Sequence, residues 1–394
     1  MNLRHPLSVA VLAAAAALAV SAVLAALAGA TPVEAGTALW EGMVGTPYAV
    51  GSSLGVMAIL LLVATGFIVA LRANLVNVGG EGQICLGAVA ATAVGTALPE
   101  SVPAALALPA VLIAAAAGGA AWASIAAWLA VSRGVSEVIT TLLLNFVGVA
   151  VLLLAIHEEA LLRQEVTSSE TLPQSAPLPD AAHLPLLGVE GSPATVAILL
   201  SLALAGVVAV VLARTATGLR LRAVGLSRPA AHRLGLPVDR LRFTSLTSAG
   251  AFAGLAGGVL VATAPFVLAE GLSSGYGFSG LVVGLLSRGS LAAAVLVAGA
   301  LGFLVSGGIN LQLAAGVPAA VTQITESLLV LAIAGSAAWT VTRARRGRTR
   351  GRTVRSPFRR PPVDVSAPPD PPGRPAAHEP APQPVGTTLE EARS

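Results

Sequence analysis

Long apolar runs broken by short polar segments set the pattern of this chain. The first run is Ser8–Ala28, and others follow at about 50–71, 84–98, 104–131, 138–156, 193–213, 243–264, 275–287, 289–307 and 317–341. Most approach the roughly 20 residues that a helix needs to cross a bilayer. The expected fold is all-α, a polytopic transmembrane helical bundle of about ten spans. The runs at 84–98 and 275–287 are short for a full crossing. Short or broken helices in each half of a transporter point to the solute path. A signal peptide is the rival reading of the first run, but its apolar core exceeds the roughly 7–15 residues usual there.

The polar breaks set orientation. The 214–242 segment carries Arg214, Arg220, Arg222, Arg228, Arg233, Arg240 and Arg242, and nine more arginines follow from Arg343 to Arg360. Arg4, Arg72 and Arg133 fall on the same side after an even number of crossings. The 157–192 loop instead carries Glu158, Glu159, Glu165, Glu170, Asp180 and Glu190, with Arg163 the one basic side chain apart from its histidines. The positive-inside rule then places both termini and the 214–242 loop in the cytoplasm. Residues 1–342 read as a transmembrane domain and 343–394 as an Arg-rich, then Pro-rich tail. That tail has few large apolar residues and is expected to be disordered. Its arginines can also meet anionic lipid.

Composition narrows the chemistry. The 394 residues are 55% hydrophobic and 11% charged, against about 25% charged in a soluble domain. Every basic side chain apart from histidine is Arg, and the sequence has no Lys. A phosphate-binding loop ending in Gly-Lys-Ser/Thr is therefore excluded, as is a Schiff-base lysine. If ATP drives transport here, its hydrolysis belongs to another chain. Cys85 is the single cysteine, which excludes an internal disulfide and a multi-cysteine metal site. His5, His157, His183, His232 and His378 all fall outside the expected helix cores. No buried histidine base or metal cluster suggests itself, so no enzyme activity, bound cofactor or metal is expected. The arginine clusters bear on topology, and no nucleic-acid partner is expected.

Three polar segments interrupt the apolar runs. Asn77-Val-Gly-Gly-Glu-Gly-Gln83 places Glu81 between two apolar runs. A carboxylate is costly in hydrocarbon, and glycine-rich irregular backbone is tolerated at membrane depth only inside protein or beside a wet cavity. Asn77, Glu81 and Gln83 can therefore contact solute or satisfy the broken backbone. Glu137, Thr141 and Asn145 share one face of an expected helix, with Thr140 beside it. That stripe suits a polyhydroxy solute or contacts between helices. Tyr276 and Phe278, in Gly275–Arg288, can stack on a planar ring or simply pack.

A fourth segment, Thr217–Arg242, contains short Gly-bounded pieces dense in Arg. It suits a docking surface or a solvated basic loop.

In this order the four segments resemble the permease subunits of bacterial ABC importers in the branched-chain amino acid and ribose permease superfamily. The similarity is greatest to the nucleoside (simple sugar) branch. Asn77–Gln83 matches its Asn-Ile-Gly-Ala-Glu-Gly-Gln-like segment. Gly134–Asn145 matches a Gly-Val-Asn-Glu-Val-Ile-like segment, with Ser136 in place of Asn. Gly275–Ser287 matches a Gly-Tyr-Gly-Phe segment, with Ser287 in place of Gly. Ala230, Ala231 and Gly235 have the Ala-Ala-x-x-x-Gly spacing of the family's coupling loop, although Pro229 replaces its leading Glu.

The resemblance covers about residues 50–340. It implies a permease of an ATP-driven importer working by alternating access, with nucleosides or related sugars as cargo. Its implied partners are a separate ABC ATPase subunit, a paired permease subunit and a substrate-binding lipoprotein, in the bacterial inner membrane. It implies a substrate pathway near Asn77, Glu81, Gln83, Glu137, Thr141, Asn145, Tyr276 and Phe278. ATPase coupling would involve Arg220, Gly225, Ala230, Ala231 and Gly235. Ribose-like sugars and branched-chain amino acids remain alternative solutes. A secondary transporter without an ATPase, or a scaffold, remains an alternative class.

Overall fold

A computed structural model describes residues 29–99, 101–165 and 172–318, together with Val23, Ala26, Ala320, Val321, Ile324, Ser327 and Leu328. The tail and most of the Ser8–Ala28 and 317–341 runs lie outside the described residues. Among the described residues the protein is helical, with no strand and three isolated β-bridges. The helices are α1 (Pro32–Trp40), α2 (Pro47–Arg72), α3 (Gly80–Ala97), α4 (Ala104–Ser132), α5 (Glu137–His157), α6 (Ala197–Arg214), α7 (Ala216–Leu226), α8 (Arg228–Arg233), α9 (Val238–Val261), α10 (Tyr276–Leu286) and α11 (Leu291–Ala315). Six of these, α2, α4, α5, α6, α9 and α11, are long and apolar enough to cross a membrane. The two short runs of the sequence appear as α3 and α10.

Small residues bring the helices together. The most apolar stretch of α2 is 83% buried, against 22% for α4 and α6, so α2 is central and the other two are peripheral. Gly87 of α3 and Gly119 of α4 both pack on the backbone of Gly254 in α9, and Gly250 packs on Ala123 and Gly119. In an apolar solvent burial itself gives little association energy, so backbone-close contact of this kind carries the packing.

The same contacts reveal two related halves. Residues 58–62 of α2 cluster with 253–262 of α9, while Ala70 clusters with Leu246, so these helices are antiparallel. Each then packs parallel to a short helix. Gly280 and Gly284 of α10 meet Val63 and Phe67 of α2, and Gly87 of α3 and Ala91 meet Gly254 and Gly258 of α9. Two inversely oriented units, α2–α3–α4 and α9–α10–α11, therefore interlock through their short helices.

Some boundaries differ from the sequence pattern. Gly80 and Gly82 lie inside the first turn of α3 rather than in irregular backbone, which is confined to the stretch before Gly79. The 193–213 run becomes helical only at Ala197, because Pro193 to Thr195 join the loop before it, and Leu186 bridges Thr195. The 289–307 run continues to Ala315. The 214–242 segment is mostly helical, as α7, α8 and the start of α9. The apolar pattern also misses α1, which opens with a capping box between Thr31 and Glu34 and docks on α11 through Asn310 Nδ2 to the Ala38 carbonyl (2.7 Å).

Candidate functional site

The starts of α3 and α10 meet in the middle of the bundle. Gly280 of α10 packs on Leu60 and Val63, at the centre of α2, and Gly148 near the centre of α5 packs on Gly82 of α3. At about 1.5 Å per residue, the 11 residues of α10 extend roughly 16 Å, about half of a ~30 Å hydrocarbon core. Both N-termini thus lie at depth, where their backbone N–H groups need partners.

Glu81 supplies those for α10. Its carboxylate accepts from Gly275 N (2.9 Å) and Gly277 N (2.8 Å). Asn145 serves α3: its Oδ1 accepts from Gly82 N (2.9 Å) and its Nδ2 donates to the Val78 carbonyl (2.8 Å). Thr141 Oγ1 accepts from Val78 N (3.2 Å). Asn77 and Gln83 exchange amide hydrogen bonds at 2.8 and 3.0 Å, and Asn77 Oδ1 also accepts from Gly79 N. Asn77, Glu81, Gln83, Thr141 and Asn145 are all buried.

The glycines allow this geometry by lacking side chains. A Cβ on Gly277 would overlap the backbone of Gly80 and Glu81, and one on Gly148 would overlap Gly82. Trp122 adds a lock from α4, donating Nε1 to the Leu144 carbonyl (3.2 Å). Gly148, Trp122 and Tyr48 were not singled out in the sequence. Tyr48 carried a usable signal, as one of two tyrosines in the chain.

The remaining candidates lie outside this network. Glu137 is half-buried in the first turn of α5 and is not part of the cluster. Phe278 is exposed, whereas Tyr276 lines a cavity of about 590 Å³. That cavity begins between Tyr48 and Pro193 and reaches Ile59, midway along α2, beside the start of α10. One face of α2, through Tyr48, Gly51, Ser52, Gly55, Val56 and Ile59, forms a wall. Opposite it stand Leu184, Leu186, Pro193 and Thr195 of the acidic loop and its exit. Leu184 N donates to the Ala262 carbonyl (2.8 Å), and His183 stacks on Phe266 at 3.5 Å between ring centroids. Both tyrosines of the chain therefore line one cavity that reaches the start of α10.

At the arginine end, α7 and α8 form a small folded platform. Ala231 is buried with Val224 and Val238, and Gly225 packs against the Arg72 carbonyl. Arg220 and Ala230 are exposed, as are the large apolar residues Leu219, Leu226 and Leu234. Gly235 has φ +73° with open space around it. Glycine suits that left-handed conformation, which costs other residues energy.

Residues 49–335 match the model of the family described as branched-chain amino acid transport system / permease component. The guanosine ABC transporter permease protein NupP of Bacillus subtilis is 31% identical over 326 residues, covering 81% of this chain and 90% of that protein. The glucose ABC transporter permease protein TsgB13 of Haloferax volcanii is 34% identical, covering 80% and 84%. The nucleoside ABC transporter permease protein NupB of Lactococcus lactis subsp. cremoris is 25% identical, covering 78% and 84%. No solved structure matches the chain.

Proposed function

Because this chain belongs to the branched-chain amino acid transport system / permease component family, we propose that it is the subunit through which an ATP-driven importer passes nucleosides or related sugars. The observation that carries the reading is the cavity from Tyr48 to Tyr276, which ends beside the start of α10. Two tyrosines can stack on a planar base or on the apolar face of a sugar. The guanosine and nucleoside permeases among the relatives support a base-bearing solute.

With the arginine end in the cytoplasm, the cavity opens outward beneath the acidic loop, where a binding lipoprotein would release its cargo. A separate ATPase would dock on α7 and α8, through Leu226, Leu234 and the turn at Gly235. A paired permease would complete the path. In alternating access the cavity closes as a route past α10 opens. The Glu81 contact to Gly275 and Gly277 would be the joint that holds the resting arrangement. Glu81 and Asn145 then act by positioning two broken helices, and Tyr276 by touching the solute.

The test is uptake of radiolabelled uridine and adenosine in cells with and without the gene, alongside Tyr276→Ala. Loss on deletion, with higher KM for Tyr276→Ala, is the expected result. Uptake unchanged by deletion in a strain lacking other nucleoside systems would sink the nucleoside reading. The glucose permease among the relatives favours a second reading. Under it, labelled glucose uptake falls on deletion and uridine uptake does not.

A further inference from the structure

A second cavity, of about 650 Å³, opens at the arginine end between α6, α7 and the turn joining α10 to α11. Arg72, Arg222 and Arg288 all line it, and no acidic residue does. Arg72 donates Nη2 to the Gly289 carbonyl (2.9 Å), and its Nε is buried without a protein partner. Among the described residues, neither Arg72 nor Arg222 forms an ion pair.

Two helices also begin on the wall. Thr215 caps α7 by accepting from Gly218 N (3.5 Å), and Ser290 caps α11 by accepting from Ala293 N (3.4 Å). Each helix start adds partial positive charge. The ends of α6 (Arg214) and α10 (Leu286) at the same place offset these starts, so the attraction for an anion comes from the guanidinium groups of Arg72 and Arg222 sharing one space.

The other wall is apolar, formed by Ala209, Leu212, Ala213, Leu291 and Ala292. Along α6, one to two turns further from the arginine end, Val207 and Val210 are exposed. A basic floor beside an apolar wall, at the end of the membrane-spanning helices, matches a phosphate with attached acyl chains. Basic pockets between helices at this level hold anionic headgroups. We propose that this cavity binds the phosphate of an anionic membrane phospholipid, tying the start of α7 to the α10–α11 turn. Free phosphate would answer the arginines but leave the apolar wall without a partner. A carboxylate from a docked ATPase is the protein alternative.

The test is native mass spectrometry of the full-length chain in detergent. Dioleoyl phosphatidylglycerol or dioleoyl phosphatidylcholine is added at equal concentration, with and without excess inorganic phosphate. Phosphatidylglycerol should be retained preferentially and resist displacement by phosphate. Arg222→Gln should weaken its retention about fivefold, the scale expected for one surface arginine. Arg228→Gln, whose side chain is exposed on α8 and outside the cavity lining, should leave retention unchanged. Ala213→Trp should remove the preference by filling the apolar wall while keeping every arginine.

Equal retention of the two lipids overturns the proposal. So does displacement by inorganic phosphate, which would identify a free-anion site. Equal effects of Arg222→Gln and Arg228→Gln would indicate general surface charge. Absence of a phosphatidylglycerol preference, with Arg222→Gln instead losing a co-purified ATPase, would identify the protein alternative.

Discussion

The carboxylate of Glu81, in the first turn of α3, accepts a 2.8 Å hydrogen bond from the backbone N–H of Gly277, in the first turn of α10. It also takes the Gly275 N–H at 2.9 Å. One side chain therefore joins the broken helices of the two inverted halves. Hydrogen bonds to a charged group contribute about 1.5–3 kcal/mol, and an unpartnered buried N–H costs about 1–3 kcal/mol. Glu81→Ala should lower the thermal midpoint in detergent and reduce uptake at least tenfold. Glu81→Gln, keeping one acceptor oxygen, should fall between. Wild-type midpoint and uptake in Glu81→Ala would refute the joint.

Packing at the same place leaves no room for a methyl group. Gly277→Ala should force α3 and α10 apart, because its Cβ would overlap the Gly80 and Glu81 backbone. Gly206→Ala on α6 meets nothing within 4 Å. It should be neutral or mildly stabilising, since alanine is the better helix former. Thermal midpoints of the two purified variants check this; a similar loss in both would argue against the close contact.

Asn145 both donates and accepts, so its replacements should rank. Asn145→Ala loses both hydrogen bonds. Asn145→Asp keeps the acceptor for Gly82 N but turns an acceptor toward the Val78 carbonyl, in a buried setting. Burying an unpaired charge there should make Asp the more damaging change. The amount of folded protein recovered after membrane extraction reads the order, and greater recovery of the Asp variant would reverse it.

The cavity tyrosines should affect solute recognition more than folding. Tyr48 is 65% exposed, so Tyr48→Ala removes little packing. Its expected signature is a several-fold rise in the KM of uptake with an unchanged thermal midpoint. An unchanged KM for both Tyr48→Ala and Tyr276→Ala would remove the cavity from the solute path.

Coupling should fail on the α7–α8 platform without unfolding the bundle. Leu226 is 80% exposed and Leu234 is 76% exposed, so Leu226→Glu and Leu234→Glu disturb little internal packing. Gly235→Arg adds a side chain at φ +73°, with space for it but at a backbone cost of about 1–2 kcal/mol. Each variant should reach the membrane and lose co-purification of an ATPase. Normal co-purification by all three would place docking elsewhere.

The sequence alone determined the helical membrane fold, the two short helices and the residues gathered at their starts. Apolar runs of spanning length and the cost of a carboxylate in hydrocarbon are local properties, readable without knowing which helix lies beside which. The roles of the glycines and of Glu81 were decided only by tertiary structure. Gly80 looked like a break in the backbone, yet it lies in a helix and makes room for Gly277, 197 residues later in the chain. Likewise, Glu81 had no visible partner in the sequence because its partners are backbone N–H groups, which every residue except proline carries. Tyr48 and Tyr276 belong to opposite halves, and only the parallel packing of α2 against α10 brings them to one cavity. Periodicity reports which residues share a helix face, but the close approach of distant backbones depends on how the two halves interlock.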